Sequence, residues 1–225
     1  MRLLLTVLVA FVATELARAD CPTNTVVAIG ATRTSSAPRD TLARDFRGCV
    51  PHPMYCYSYS ASVDYDLVIG RVHAYAQGSN AHGEGYALTH DVFTLIGPAS
   101  ESPITFTANG HAVLAQYCDQ PYATVFIREG DSNIASVAGQ PCSTVATSIG
   151  VSITCLPGSS FDLYMYANAR AGGGVNTSGG VADATLNLKF SGVPVGYTLV
   201  SCQGYAGEPV ATRPRSWGAV KALYR

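Results

Sequence analysis

Five histidines (His52, His73, His82, His90 and His111) and fifteen carboxylates are the groups with which this chain of 225 residues could do acid–base or metal chemistry. His82, Glu84 and His90 come nearest to a metal set. Yet His82 and Glu84 fall in the glycine loop HGEG, and no two histidines have the short spacing of zinc ligands. Neither a G-x-S-x-G elbow nor an H-E-x-x-H motif occurs. Asp64 and Asp66 project from one face of an extended segment, about 6–7 Å apart, within the separation of a glycosidase carboxyl pair. Any polar sheet face shows that spacing. Calcium suits the oxygen donors of Asp131, Ser132 and Asn133, or of Asp64 and Asp66, although no D-x-D-x-D-G loop is present. These residue types predict no catalytic group, no metal centre and no cofactor, with structural calcium the one ion that fits them.

Aromatic residues make the better lead, because sugar rings stack on flat aromatic faces that stand out of a sheet. Tyr55, Tyr57 and Tyr59 share their face with Val63 and Leu67, which predicts that they pack into a core. Tyr164 and Tyr166 instead alternate with Leu163 and Met165 and share their own face with Asp162, Asn168 and Arg170. A wet face with two tyrosines among hydrogen-bonding groups is a platform for a glycan. Its expected members are Asp162, Tyr164, Tyr166 and Asn168, with Asn187 and Lys189 from a neighbouring strand. The plainer reading is that tyrosine is simply a good strand former there.

The elements that would position these groups are strands. Alternation of apolar and polar residues marks Tyr55 to Leu67, Leu67 to Ala76, Gly85 to Ile96, Ile104 to Ala108, Ala112 to Tyr117, Ala123 to Arg128, Val145 to Cys155, Phe161 to Arg170, Val181 to Phe190 and Tyr197 to Cys202. Turn signals such as GSNAHGEG, ANGH, EGDSN and LPGSS separate most of them. The segment between Ala171 and Gly180 reads as the loop of a hairpin. A register that opposes Phe161 to Phe190 also opposes Leu163 to Leu188, Met165 to Leu186 and Ala167 to Ala184, and on the other face Asp162 to Lys189 and Tyr164 to Asn187. Many short strands without a helix predict an all-β fold, an antiparallel β-sandwich of jelly-roll type.

Compartment follows from the first residues and the cysteines. Arg2, the apolar run from Leu3 to Thr14 and the Ala17-Arg18-Ala19 cleavage pattern read as a signal peptide over 1–19. That run is too short to span a bilayer, which takes about 20 apolar residues. Removing it takes away Arg2, Arg18 and Glu15 and leaves twelve basic against fourteen acidic residues, a formal net charge of −2. No basic field for nucleic acid exists. The seven cysteines all follow residue 19, where thiols pair. Proximity joins Cys49 to Cys56, Cys118 to Cys142 and Cys155 to Cys202, although sequence alone leaves connectivity and the odd thiol open. One disulfide-stabilised domain over 20–205 is expected.

The segments YDLVIGRVHAYA, DVFTLIGPASESPITFTANGHAVL, SSFDLYMYANARAGGG and GGVADATLNLKFSGVPVGYTLVSCQGY, taken together over residues 65 to 205, resemble the β-sandwich domains of bacterial PEP-CTERM-type exported proteins. The family's Pro-Glu-Pro motif and C-terminal membrane helix are missing. A basic tail over 206–225 stands in their place, with Arg213, Arg215, Trp217, Lys221, Tyr224 and Arg225 and a short helix capped by Ser216. The resemblance implies an exported, non-catalytic protein and brings no catalytic residues. The expected role is structural or adhesive, at the cell surface, in extracellular matrix or in the periplasm, with extracellular polysaccharide or cell-surface components as partners. Carbohydrate binding on the tyrosine face is the alternative, and an extracellular hydrolase with an unrecognised site is the third.

Overall fold

A computed structural model describes residues 21–51, 54–117, 121–172 and 179–205. The expected signal peptide, the tail with Arg213, Arg215, Trp217, Lys221, Tyr224 and Arg225, and also His52 and Cys118, lie outside the described residues. Strands run β1 (Asn24–Ala28), β2 (Ala31–Ser35), β3 (Arg39–Pro51), β4 (Met54–Asp66), β5 (Arg71–Ser79), β6 (His82–Ile96), β7 (Ile104–Tyr117), β8 (Tyr122–Glu129), β9 (Asn133–Ala138), β10 (Ser143–Cys155), β11 (Ser160–Gly172), β12 (Gly180–Ser191) and β13 (Thr198–Ser201). They form two antiparallel sheets. One is ordered β2-β1-β6-β11-β8-β9, with β13 on β6 beyond the end of β1, and the other β10-β7-β12-β5-β4-β3. No described helix is long and apolar enough to cross a membrane.

From β5 onward the chain passes from one sheet to the other at nearly every connection, only β8 and β9 being neighbours in one sheet. This corrects the expected hairpin. β11 lies between β6 and β8, whereas β12 lies between β5 and β7 in the opposite sheet. Alternation had the faces right: Leu163, Met165, Ala167, Ala184, Leu186 and Leu188 are all buried. It could not name the neighbour. Phe161 and Phe190 do meet, with centroids 6.5 Å apart and edge to face, but across the core.

The core has two ends. Phe93, Phe106, Phe161, Phe190 and Tyr205 pack edge to face and stacked at one end. Alanines fill the other, with Ala167, Ala169, Ala171, Ala182 and Ala184 fully buried, so the chains approach closely there. Gly83 marks the approach: a Cβ on it would meet the Gln77 and Ser60 carbonyls at 2.7 and 2.9 Å. HGEG is therefore the start of β6 rather than a loop. Gly110, expected in a turn, sits mid-strand in β7, where a Cβ would strike Leu186 and Ile127 at 2.5 and 2.6 Å.

Two disulfides are described, Cys49–Cys56 across the β3–β4 pair and Cys21–Cys202. Cys142 is also disulfide-bonded. The expected Cys155–Cys202 bridge is not formed: Cys155 is a free thiol at the end of β10, and Cys202 continues β13 on the first sheet beside the start of the chain.

Candidate binding surfaces

The tyrosine face is built by β6, β11 and β8. Tyr164 opposes His90 on one side and Arg128 on the other, and Tyr166 opposes Leu88 and Phe126. The His90 ring stacks on Tyr164 at 4.2 Å, and the Arg128 guanidinium lies over the same ring at 4.3 Å. Phe126 stacks on Tyr166 at 4.8 Å, and Tyr86 tilts against it at 5.9 Å. Flanked from both neighbouring strands, the two tyrosines spend their ring faces on lateral stacking and present mainly edges to water. The Tyr166 hydroxyl accepts a hydrogen bond from the Asn168 amide at 2.9 Å, and burial raises its pKa. Asp162 pairs with His90 Nε2 at 2.6 Å.

Asn187 and Lys189 are not on this face. β12 belongs to the other sheet, so the six expected glycan-binding residues divide between opposite outer surfaces, Asp162, Tyr164, Tyr166 and Asn168 on one and Asn187 and Lys189 on the other. The partners that do join the tyrosines, His90, Phe126, Arg128 and Tyr86, sit on strands that sequence periodicity finds but cannot place side by side.

On the second sheet's outer face, His73 stands between two carboxylates. Its Nδ1 lies 3.3 Å from Asp64 and its Nε2 3.3 Å from Asp183, and these hydrogen bonds, Asp183 first, raise its pKa to about 9. The ring is thus an imidazolium at neutral pH, with neither nitrogen free to act as a base or a metal ligand. The His73 hydrogen bond in turn lowers the pKa of Asp64, which also pairs with Arg71 at 2.9 Å. Asp66 pairs with Arg39 at 2.9 Å. The proposed Asp64–Asp66 carboxyl pair is therefore committed to neighbouring cations. Asn133, a candidate calcium ligand, donates its amide to the Ser152 carbonyl at 2.7 Å. His82 and His90 lie on one face of β6 but eight residues, about 27 Å, apart, so they cannot share an ion.

Two features escaped the sequence reading. Beyond Ser58, β4 pairs only with β3, and the two strands overhang the sheet as a disulfide-braced hairpin. At its base, where Tyr59 still pairs with Gly78 of β5, Phe46 stacks against Tyr59 at 5.1 Å and against Tyr57 at 6.0 Å, and Phe46 remains 47% exposed. Tyr57 and Tyr59 are accordingly half-buried rather than core, because no opposing sheet covers that end. The side chain of Tyr55 lies outside the described residues. The pairing of Asp45 with Ser60 and of Arg47 with Ser58 puts these polar residues, with Gln77, on the opposite face of the ribbon from the stack, where they line a shallow depression.

The second feature is a buried polar knot. β1 pairs with β6 up to Leu88 and β13 resumes at Phe93, leaving the His90 backbone without a strand partner on the side away from β11. Asn24 accepts the His90 N–H at 3.0 Å, Gln203 donates to the His90 carbonyl at 2.7 Å, and the two amides bond each other at 2.6 Å. Asp91, buried beside them, accepts from Ser201 Oγ and the Gln203 N–H, and burial raises its pKa. Residues so far apart in the chain carry no signal of this in the sequence.

No protein-family model matches the chain, and comparison with curated proteins finds no match.

Proposed function

We propose that the chain is a secreted β-sandwich with a structural or adhesive role at the cell surface or in extracellular matrix. The observation that carries this reading is the Cys21–Cys202 bridge, which ties the first described residues to the last across a separation of 181 and closes over the Asn24–Gln203 knot. Such a bond persists in an oxidising compartment, and it lets tension on either end bypass the strands. Fractionation of the source cells tests the reading. The expected result is a disulfide-intact protein in the surface or matrix fraction, beginning near Asp20. Recovery from the cytosol with reduced cysteines overturns it.

Polysaccharide binding is the second reading, favoured by the exposed Phe46 stacked with Tyr57 and Tyr59 on the β3–β4 ribbon. On a glycan array, Phe46→Ala should remove binding, whereas Tyr164→Ala with Tyr166→Ala should leave it. An array with no binder, or one unaffected by Phe46→Ala, removes this reading.

A further inference from the structure

Among the described residues five strands are paired on one side only: β2, β9 and the 4-residue β13 in one sheet, β3 and β10 in the other. A bare edge offers its N–H and C=O groups to any other strand, and proteins guard such edges with charge, proline or shortness. β3 carries Arg39, Asp40, Arg44, Asp45 and Arg47 and ends at Pro51. β2 is 5 residues long and holds Arg33, and β9 is 6 residues long. β10 has none of these devices. Its 13 residues, STVATSIGVSITC, contain no charge and no proline, and all of them pair with β7 on one side. On the other side the hydrogen bond among described residues comes from Asn133 to the Ser152 carbonyl.

We propose that β10 is the surface on which two copies of this chain meet, pairing antiparallel about Ile149 so that the second sheet runs on from one molecule into the next. Antiparallel self-pairing is two-fold symmetric, so the strand must suit its own reverse. Here it does. An axis at Ile149 opposes Thr144 to Thr154, Ala146 to Ser152 and Ser148 to Gly150 on the outer face, and Val145 to Ile153 and Thr147 to Val151 on the inner. No like charges oppose each other anywhere along it. Apolar surface flanks the same edge: Leu156, just past β10, is 45% exposed, and Ile134 on β9 is 56% exposed. Residues 206–225 are the rival occupant, but Pro209 and Pro214 would interrupt any ladder they formed. The pairing is independent of the structural or adhesive role, and either can fail alone.

Light scattering and cross-linking of the purified, disulfide-intact protein test it. Wild type should be a concentration-dependent dimer. Ser148→Lys, at an exposed position, should make it monomeric without changing its circular dichroism or melting. In a Cys155→Ser background, Ile149→Cys should form a disulfide-linked dimer under mild oxidation, because only the residue on the axis meets its own copy, whereas Val145→Cys should not. A wild-type protein that stays monomeric at high micromolar concentration overturns the proposal. So does a dimer that survives Ser148→Lys and does not cross-link through Ile149→Cys. Appearance of the dimer only when the chain is cut after Tyr205 would assign the edge to the tail and equally overturn it.

Discussion

His73 is the residue whose charge state does most for the outer surface of the second sheet. Its folded pKa of about 9 lies above the ordinary histidine value of 6.5, so the folded state holds the proton more tightly. The stabilisation is complete below the unfolded value, declines as pH rises above it and is gone beyond about 9. For a partly exposed group we expect it to be about 1–2 kcal/mol after screening. Denaturant titrations of wild type should therefore lose stability between neutral pH and about 9, and His73→Gln should flatten that slope. The effect at Asp64 runs the other way: its lowered pKa stabilises above the ordinary carboxylate range and is lost as pH falls through it. Gln203 acts through hydrogen bonds alone. Gln203→Ala would leave the His90 carbonyl without its donor and the Asn24 amide with only its longer bond to the Ala37 carbonyl, at a cost of about 1–3 kcal/mol, read as a drop in the urea midpoint with an unchanged slope.

Among the elements, β7 shows what a single strand position can demand. Gly110→Val would force a branched side chain into the space held by the Leu186 and Ile127 methyl groups. The expected loss is about 1–3 kcal/mol, measured by thermal melting, while Gly130→Ala, at a turn with open space, tests only the positive φ of 56°. The same glycine shows why a sequence reading splits this strand: ANGH has the composition of a turn, and only the packing beneath it reveals a gap kept clear for two core side chains. β3 was not expected at all. Its stretch from Arg44 to Arg47 is exposed throughout, because β3 is the edge strand and the ribbon end beside it is not covered by the opposing sheet, so no period of two is written into it. β11 and β12 were legible in extent and in which face turns inward, since each buries one side in the same core. The tyrosine face was thus recognisable, but the His90, Arg128 and Phe126 side chains that occupy it were not.

At the scale of the whole molecule, the Cys21–Cys202 bridge restricts nearly the entire unfolded chain. Replacing both cysteines by serine should lower stability by about 2–5 kcal/mol, and reduction should lower the melting temperature of wild type but not of that variant by a comparable amount. Composition, alternation and the run of short apolar segments determined by themselves that the chain is all β, with a disulfide-bonded core between two layers, because side-chain parity and hydrophobic burial are local properties of a strand. Which strand lies beside which was decided only by the tertiary structure. Backbone hydrogen bonds are the same for every sequence, so an inward-facing strand can satisfy them in either sheet, and only the joint packing of both layers selects one. That choice moved Asn187 and Lys189 to the far side from Tyr164, carried Cys202 to Cys21 instead of Cys155, and left β10 at an open edge.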